Sequence, residues 1–464
     1  MKKYPNATDN STDVTPGDLF ISMPAANAGR YLDDAITRGA AAVLVPADTE
    51  LCIPSGIDVI KSENIALDSA RIAAEYYPAC PRHICAVTGT KGKTSTVAFV
   101  VQILCILEKS AASIGTLGIV SDKWNMAGAN TTPFAIQLRQ WMTRLCDKGT
   151  EYLALEASSH GIDQHRLEFV KFDAVGFSNL SRDHLDYHKT MDEYFAAKAR
   201  LFTDFEYDTA VINADDEYGA KIIEIVSKLP RQIITFGRKG NTIQIKNITP
   251  SSSGQQIDLK YFGLDITVKT PLIGEFQVYN ILMAIGLVIG MGINVEDLPI
   301  EKIFSELRAP AGRAEYVGQT KSGGAVYIDY AHTPDSLEQI IKSLRKSTNA
   351  RLHVLFGCGG NRDAGKRPIM GEIASRLADV IIVTDDNPRF EDASNIRKQI
   401  MAACPNGTEI GGRSNAIRMA IDGLQNGDIL IIAGKGHEDY QIIGGEKTHF
   451  SDREEASNAI NDTE

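Results

Sequence analysis

The sequence predicts an α/β protein of three domains. The chain has 464 residues, enough for about three domains of roughly 150 residues each. Short apolar runs alternate with helical segments along most of it, which is typical of parallel sheets covered by helices. Pro81 marks the first boundary. We predict a small α/β N-terminal domain at 1–82, a central domain at 83–310 with a parallel sheet plus a small antiparallel sheet, and a Rossmann-like C-terminal domain at 311–464.

Composition excludes several classes of function. A hydrophobic fraction of 43% and a charged fraction of 23% are those of a soluble globular protein. The net charge of -11 argues against nucleic-acid and membrane-surface partners, although a local cluster of Arg and Lys can still bind an anionic substrate. Seven cysteines without a Cys-x-x-Cys pair indicate free thiols in a reducing compartment. With no signal-peptide pattern at its start, the protein is expected to be cytoplasmic. We also expect it to be a monomer.

The first domain reads as a small α/β unit. Residues 16–21 form a turn that enters a strand, residues 31–38 a short helix, and residues 40–45 a buried strand. A second helix covers residues 65–76 and ends before Pro78.

The central domain opens on a glycine loop between a strand and a helix. The strand is at 84–87, the helix at 97–107, and the loop between them reads Thr88-Gly89-Thr90-Lys91-Gly92-Lys93-Thr94. Backbone N–H groups of such a P-loop and the positive end of the helix form a cradle for phosphates. Lys93 would reach the outer phosphates, and the Thr94 hydroxyl would bind Mg²⁺. Nucleotide binding is therefore the preferred interpretation.

Further strands of the central domain are short and apolar, at 152–155, 174–177 and 210–212. From residue 242 to residue 270 the apolar residues recur with a period of two, and residues 251–254 make a turn. This segment predicts the small antiparallel sheet.

The last domain predicts an open parallel sheet with strands at 326–328, 352–356, 380–383 and 429–433. Ligands of such sheets bind at the carboxyl ends of the strands. A polar cluster follows each strand, and all four clusters should lie on one rim: Asp329-Tyr330-Ala331-His332, Gly357-Cys358-Gly359-Gly360-Asn361-Arg362, Asp385-Asp386-Asn387-Pro388-Arg389 and Gly434-Lys435-Gly436-His437-Glu438.

Two features indicate the nucleotide and the metal. The chain lacks an Asn-Lys-x-Asp motif for guanine, which favours ATP over GTP. Glu156 closes a strand and His184 follows another, and carboxylate and imidazole groups near a P-loop are suitable ligands for Mg²⁺ or Mn²⁺.

Taken together, these segments resemble the Mur ligases. The resemblance covers nearly everything after residue 83, in the same order. It rests on the P-loop and on Asn130-Thr131-Thr132-Pro133, Glu156-Ala157-Ser158-Ser159-His160-Gly161, Asn179-Leu180-Ser181-Arg182-Asp183-His184-Leu185-Asp186-Tyr187-His188, Tyr194-Phe195-Ala196-Ala197-Lys198, Tyr279-Asn280, Gly312-Arg313 and Asp329-Tyr330-Ala331-His332-Thr333-Pro334-Asp335.

The resemblance implies an ATP-dependent amide ligase of peptidoglycan precursor synthesis. Its substrates would be ATP, UDP-N-acetylmuramoyl-L-Ala-D-Glu and an amino acid. The γ-carboxylate of D-Glu would attack the γ-phosphate of ATP, and the amine of the amino acid would then attack the acyl phosphate. No Ser or Cys nucleophile is required.

The resemblance also implies roles for individual residues. The catalytic residues would be Lys93, Glu156, His184 and Lys198. The metal ligands would be Thr94, Glu156, His184 and Lys198. ATP would be bound by Thr88, Gly89, Thr90, Lys91, Gly92, Lys93, Thr94, Ser95, Asn280, Arg313 and Asp329. The UDP-muramoyl-dipeptide would be bound by Thr131, Thr132, Ser158, Gln164 and Arg166. The amino acid would be bound by Arg362, Asp386, Asn387, Arg389, Gly434 and Glu438.

Lys198 matches a lysine that is carbamylated in this family. CO₂ would convert its amine into an anion that binds Mg²⁺, which requires an accessible neutral form of the lysine. From spacing alone Lys198 would be a solvent-exposed lysine on a helix.

The segment from Asp386 to Arg389 resembles the signature of family members that add meso-diaminopimelate. Arg389 and Arg362 would clamp the distal carboxylate of that substrate, while Glu438 and the Gly434 carbonyl would accept hydrogen bonds from its distal amine. L-lysine has no distal carboxylate and would leave an arginine charge uncompensated, at a cost of several kcal/mol. We therefore predict diaminopimelate.

The first domain departs from the family pattern. An Asp-Ser-Arg segment is replaced by Ser11-Thr12-Asp13-Val14-Thr15, and an Asp-Gly-His stretch by a shortened segment at 26–31. Three alternatives stay open at this point: an L-lysine-adding ligase, a paralogous Mur or folylpolyglutamate-type ligase, and a nucleotide-binding module without enzymatic activity.

Overall fold

The computed structural model describes residues 3–25, 27–49, 53–128, 130–251 and 254–462. Contacts divide the chain into two compact units. The first unit comprises Met1–Ile245, Lys260–Gly263 and Tyr279–Pro299, and the second comprises Lys246–Leu259, Leu264–Val278 and Ile300–Glu464. The domain boundaries after residues 82 and 310 stay a prediction.

Four parallel strands form the N-terminal sheet in the order β1-β2-β3-β4: Ala7–Thr8 (β1), Leu19–Ile21 (β2), Ala42–Pro46 (β3) and Asp58–Ser62 (β4). A 3₁₀ turn covers Ser11–Asp13, and the helices are Ala28–Thr37 (α1) and Ile65–Tyr76 (α2). Helix α1 begins earlier than the predicted 31–38, because the Asn27 carbonyl already accepts the amide of Tyr31 at 3.1 Å. Ala26, in the shortened segment, lies outside the described residues.

The central sheet has ten strands in the order β14-β13-β12-β11-β10-β9-β5-β8-β6-β7. In chain order they are His83–Thr88 (β5), Ala111–Gly115 (β6), Gly118–Ser121 (β7), Tyr152–Glu156 (β8), Ala174–Phe177 (β9), Thr209–Asn213 (β10), Gln232–Gly237 (β11), Ile243–Ser251 (β12), Gly254–Tyr261 (β13) and Leu264–Thr270 (β14). The helices are Lys93–Ile106 (α3), Ala135–Asp147 (α4), Ser159–Asp163 (α5), Leu185–His188 (α6), Met191–Thr203 (α7), Glu217–Val226 (α8) and Glu275–Gly290 (α9). A second 3₁₀ turn covers Val295–Asp297.

The position of β5 explains where the glycine loop lies. Strand β5 is parallel to both of its neighbours, β8 and β9, and the chain that follows it builds strands on both sides. Ligands bind at the carboxyl end of a strand where the strand order reverses in this way.

The predicted strands at 152–155, 174–177 and 210–212 are confirmed as β8, β9 and β10.

The period-two segment forms strands β12, β13 and β14. They do not form a sheet of their own, because β12 pairs in parallel with β11 and so continues the central sheet. The short connection between β13 and β14 allows only an antiparallel arrangement. Ser252 and Ser253, in the predicted turn, lie outside the described residues.

The C-terminal sheet has the order β15-β16-β20-β17-β18-β19. After helix Ile300–Glu306 (α10) the strands are Glu315–Gln319 (β15), Ala325–Asp329 (β16), Leu352–Phe356 (β17), Val380–Val383 (β18), Thr408–Glu409 (β19) and Ile429–Ala433 (β20), and Tyr440–Ile443 (β21) pairs with Glu446–His449 (β22) in a separate hairpin. The helices are Pro334–Arg345 (α11), Lys366–Leu377 (α12), Ala393–Met401 (α13), Arg413–Asp422 (α14) and Asp452–Asp462 (α15).

Only edge strand β15 is antiparallel in this sheet, so β16, β20, β17 and β18 present their carboxyl ends on one rim. Apolar side chains of α11, α12 and α13 cover one face, and those of α14 and α15 cover the other. The four strands predicted from sequence are confirmed. None of the helices within the described ranges combines the length and apolar character needed to cross a bilayer.

A buried ion pair joins the last two helices to this rim. Arg413 Nε and Nη2 lie 2.6 and 2.7 Å from the carboxylate oxygens of Asp452, and neither side chain is exposed to solvent. Arg413 Nη1 also donates to the Asp385 carbonyl at 3.1 Å, and Nη2 donates to the Ala433 carbonyl at 3.0 Å. These carbonyls lie at the ends of β18 and β20. Arg413 therefore supports two of the four polar clusters from behind.

We expect Asp452→Ala to destabilise the second unit by about 3–5 kcal/mol, because it leaves the Arg413 guanidinium buried without a counter-ion. Urea unfolding followed by circular dichroism measures the shift. The control is Arg418→Ala, which breaks an exposed 3.6 Å pair with Asp462 and should change stability by less than about 0.5 kcal/mol. Equal unfolding midpoints for the two variants would contradict the prediction.

Candidate active site

The glycine loop requires glycine at two positions. Gly89 and Gly92 adopt φ angles of 141° and 87°, in the region that favours glycine. A Cβ atom at Gly89 would collide with the Ser178 hydroxyl, and one at Gly92 would collide with the amide oxygen of Asn280. The loop is anchored by Asn179, whose carbonyl accepts from the Thr90 amide at 2.8 Å. The conformation of the loop therefore depends on glycine at both positions and on the hydrogen bond to Asn179.

Lys93 begins helix α3 and reaches back into the loop. Its Nζ donates to the carbonyls of Gly89 at 2.7 Å and Thr90 at 3.1 Å. The ammonium group thus lies in the loop, at the positive end of the helix, where phosphate oxygens are favoured.

Thr94 and Glu156 form a buried oxygen pair beside the loop. Glu156 Oε2 accepts from the Thr94 hydroxyl at 3.1 Å and from the Thr116 hydroxyl at 3.2 Å, and Oε1 accepts from the Thr116 amide at 2.9 Å. Gly115 must lack a side chain, because its Cβ would meet the Glu156 carboxylate.

This oxygen pair suits Mg²⁺. Magnesium ions at nucleotide sites commonly take one or two carboxylates and complete their shell with phosphate oxygens and water. The described residues contain no group of three or more His, Cys, Asp or Glu side chains arranged around a metal. One carboxylate and one hydroxyl match the few protein ligands that Mg²⁺ takes when phosphate oxygens and water complete its shell.

Lys198 is buried, so the interpretation of an exposed helix lysine is wrong. Its side chain is 1% exposed, and Nζ donates to the Gly89 carbonyl at 2.9 Å and lies 4.6 Å from the Tyr194 ring. Burial lowers the pKa of Lys198 well below that of an exposed lysine, and the nearby Lys93 ammonium lowers it further. A neutral amine is therefore accessible at this position.

His184 belongs to the same neighbourhood. The His184 side chain is 47% exposed. Its partial burial lowers the pKa of His184; the Asp183 carboxylate opposes this shift, and the Lys93 and Lys198 ammonium groups add to it. The imidazole is therefore neutral near pH 7 and has a lone pair for a metal. Its ring stands edge-on to His160 at 5.0 Å. The structure thus brings Lys93, His184 and Lys198 together around the glycine loop.

The five residues predicted for the UDP-muramoyl-dipeptide form one connected cluster. Arg166 Nη1 donates to the Thr132 carbonyl at 2.6 Å, and its Nη2 donates to Gln164 at 2.6 Å. The hydroxyls of Thr132 and Ser158 lie 2.9 Å apart, and the Thr131 hydroxyl lies 3.1 Å from that of Thr116. Thr116 also binds Glu156, so this cluster adjoins the oxygen pair.

In the second unit, Arg313 and Asp329 lie at the end of β16. The Asp329 carboxylate accepts from the Ala314 amide at 2.7 Å. The Arg313 guanidinium lies 5.1 Å from the Tyr330 ring, and its buried Nε makes no hydrogen bond within the described residues. An orphaned guanidinium nitrogen of this kind suits an anionic ligand.

The six residues predicted for the amino acid share the rim of the second unit. Arg389 Nη1 donates to the Gly360 carbonyl at 2.9 Å. A Cβ on Gly359 would lie 2.8 Å from Arg389 Nη1 and 3.9 Å from Arg362 Cγ, so both arginines border Gly359.

The two acidic residues of the predicted amino-acid site, Asp386 and Glu438, lie on the same rim. Asn387 Nδ2 donates to Glu438 Oε2 at 3.1 Å, and a Cβ on Gly434 would lie 3.0 Å from Asp386 Oδ2. The rim therefore combines guanidinium groups with carboxylates.

Two known protein domains match most of this sequence. A sequence profile described as the Mur ligase middle domain matches residues 87–288, and one described as the Mur ligase, glutamate ligase domain matches residues 312–436. The chain belongs to the Mur ligase family.

Similar Mur ligases cover nearly the whole chain. The UDP-N-acetylmuramoyl-L-alanyl-D-glutamate–2,6-diaminopimelate ligase of Agrobacterium fabrum is 43% identical over 461 residues, 98% of this chain and 93% of the relative. The ligase of the same name from Mesorhizobium japonicum is 44% identical over 461 residues, 98% of this chain and 94% of the relative. A solved structure of a ligase of this name has a TM-score of 0.72 at 31% identity, and covers 99% of this chain and 95% of that chain.

Sequence reasoning missed several residues that lie beside the predicted sites of each unit. Thr116 follows β6, a strand of small residues that we did not predict. Lys435 lay inside a recognised polar cluster but received no role. Buried Arg367 supports the loop below Arg362, since it donates to the Gly359 carbonyl at 3.2 Å. The position of Thr116 directly after a strand could have indicated it as a site residue. The burial of Arg367 depends on tertiary packing and could not be read from the sequence.

Proposed function

We propose that this Mur ligase joins meso-diaminopimelate to the γ-carboxylate of D-Glu in UDP-N-acetylmuramoyl-L-Ala-D-Glu, with ATP, in the cytoplasm. The relatives of that name, 43% and 44% identical, support the reaction. The observation that carries the choice of amino acid is the rim of the second unit, where Arg389 and Arg362 border one glycine and Glu438 is bonded to Asn387. Guanidinium and carboxylate groups on one rim complement a zwitterion.

The first step is phosphoryl transfer. A γ-carboxylate oxygen of D-Glu attacks the γ-phosphorus of ATP, the bond from that phosphorus to the β,γ-bridging oxygen breaks, and ADP leaves. The charge on the transferring group is neutralised by Lys93, aided by the loop amides that precede α3. A magnesium ion held by Thr94 and Glu156 would add to this neutralisation. Asn280 would contact the adenine, Asp329 the ribose and Arg313 the phosphates.

The second step forms the amide. The neutral amine of diaminopimelate attacks the acyl carbon, and the tetrahedral intermediate collapses with loss of the amine proton and phosphate. The UDP-muramoyl-dipeptide is oriented by the cluster of Thr131, Thr132, Ser158, Gln164 and Arg166. The acyl carbon therefore meets the amine at a fixed distance.

Lys198 carries a carbamate in this proposal. Its amine adds CO₂ and releases one proton, giving a carbamate whose remaining N–H can still donate to the Gly89 carbonyl. The low pKa of Lys198 supports this step, because only the neutral amine reacts. The carbamate and His184 would then add an anion and a neutral nitrogen to the ligands of the cation.

At the distal end of diaminopimelate, Arg389 and Arg362 bind the carboxylate. Glu438, Asp386 and the Gly434 carbonyl accept from the ammonium group, and Asn387 orients Glu438. L-lysine would bring only the ammonium group and leave the arginines without an anion.

One assay tests the proposed function. The purified protein is supplied with UDP-N-acetylmuramoyl-L-Ala-D-Glu, ATP, Mg²⁺ and a panel of amino acids, and the products are weighed by mass spectrometry. We expect one product, the sum of the dipeptide substrate and diaminopimelate less one water. ATP turnover without a new amide would overturn the ligase reaction, and incorporation of L-lysine at the same rate would overturn the choice of amino acid.

A further inference from the structure

Lys435 is a buried lysine beside the proposed amino-acid site, and none of the roles above uses it. It follows strand β20, and its side chain is 0% exposed. Nζ donates to three oxygens: Asn387 Oδ1 at 3.3 Å, Glu438 Oε2 at 3.3 Å and the Tyr440 carbonyl at 2.5 Å. All three hydrogens of the ammonium group therefore have an acceptor.

These bonds hold two proposed ligands of the amino acid in one arrangement. Glu438 Oε2 accepts from both Lys435 and Asn387, and Asn387 Oδ1 accepts from Lys435 and from the Ile442 amide at 3.0 Å. The lysine thus joins the end of β20, the Asp386–Arg389 turn and the β21–β22 hairpin. Charge-assisted bonds of this kind fix geometry more firmly than neutral ones.

Lys435 also changes the charge of the site. Arg362, Arg389 and Lys435 are cationic and Asp386 and Glu438 are anionic, so these side chains together carry one net positive charge. Without Lys435 they would carry none.

The amino acid must attack with a neutral amine. In that form diaminopimelate has two carboxylates and one ammonium group, a net charge of -1. L-lysine in the same form has one carboxylate and one ammonium group, a net charge of zero. A positive site therefore attracts reactive diaminopimelate more strongly than reactive lysine.

We propose that Lys435 is a positioning and specificity-determining residue, which orients Glu438 and Asn387 and supplies the charge that favours diaminopimelate over L-lysine. This inference rests on the proposed function and adds to it a residue that does not touch the substrate.

Three substitutions test the role. Lys435→Met removes the charge and the hydrogen bonds, Lys435→Gln removes the charge and keeps a donor, and Lys435→Arg keeps the charge. The matched control is Lys447→Met on strand β22, an exposed lysine whose Nζ lies 3.8 Å from the Tyr440 ring. For each variant, kcat and KM are measured with diaminopimelate and with L-lysine, together with the KM for ATP and the melting temperature.

We expect Lys435→Met and Lys435→Gln to lower kcat/KM for diaminopimelate about tenfold or more, mainly through KM. The value for L-lysine should fall by a much smaller factor, because L-lysine uses the oriented Glu438 but lacks the distal carboxylate. The ratio between the two substrates therefore falls about tenfold. Lys435→Arg and Lys447→Met should keep that ratio within about threefold, and the KM for ATP should not change. Should the Met variant fail to fold, the Gln variant carries the test.

Two results would overturn this inference and leave the proposed function intact. In the first, Lys435→Gln keeps the wild-type ratio of kcat/KM for diaminopimelate to kcat/KM for L-lysine. In the second, kcat/KM falls equally for both amino acids and the KM for ATP rises. Failure of the wild-type protein to form the diaminopimelate product would overturn the proposed function, and this inference with it.

Discussion

Lys198→Ala is expected to lower kcat about 10²–10³-fold, and formate or acetate is expected to restore part of the activity. The alanine variant lacks the amine that accepts CO₂, and a free carboxylate can enter the space and supply a similar anion. A lysine needed only as a cation would not be replaced by an anion. Rescue by carboxylates therefore distinguishes the carbamate from an ammonium role.

The measurement is steady-state amide formation with and without added carboxylate, after a melting curve has shown that the variant is folded. The control is Lys221→Ala. Lys221 also lies over an aromatic ring, 4.4 Å from Tyr218, but it is exposed, and its loss should change kcat less than about twofold. A ¹³C signal from protein incubated with labelled bicarbonate, absent in Lys198→Ala, would show the carbamate directly. Wild-type activity in Lys198→Ala would refute the proposal.

Glu156→Gln is expected to lower kcat about 10²–10³-fold and to raise the Mg²⁺ concentration needed for half-maximal activity. Glutamine has nearly the shape of glutamate. Its carbonyl can accept from the Thr116 amide, and its NH₂ can donate to the hydroxyls of Thr94 and Thr116, which now accept. The fold should therefore survive while the negative charge that suits the cation is lost.

A Mg²⁺ titration of kcat measures this effect. Glu151→Gln is the matched control, because Glu151 is an exposed glutamate immediately before β8, at the opposite end of the strand that ends at Glu156. That variant should titrate like wild type. An unchanged Mg²⁺ requirement in Glu156→Gln would remove Glu156 from the proposed metal site.

Local patterns were sufficient for the glycine loop and for the main strands of the central and C-terminal sheets, although they missed β6. The glycine loop between β5 and α3 was predictable because φ angles such as those of Gly89 and Gly92 favour glycine. The four polar clusters of the second unit were predictable as one rim, because parallel strands place their carboxyl ends on the same edge. The antiparallel segment after β11 was predicted as strands, but its pairing with the central sheet depends on long-range contacts that a period of two does not contain.

Lys198 and Lys435 show what local patterns cannot reveal. The spacing around Lys198 predicts an exposed lysine, and the sequence gives no role to Lys435. Each is buried against an oxygen acceptor from a distant part of the chain, Gly89 for Lys198 and Asn387 for Lys435. The low pKa of Lys198 follows from that burial and from Lys93, more than a hundred residues away along the chain. Family resemblance indicated Lys198, but neither the resemblance nor the spacing indicated a role for Lys435.

The sequence by itself determined the α/β class, the glycine loop, the strand-end positions of Glu156 and Asp329, and the identity of the charged groups that follow the last strands. These depend on backbone preference and on hydrophobic periodicity, which act over a few residues. The tertiary structure alone decided which lysines lose their solvent, which hydroxyls join Glu156, and that Lys435 lies between Asn387 and Glu438. Burial and hydrogen-bond partners depend on residues far apart in the chain, and they set the charge and the proton affinity on which the proposed reaction depends.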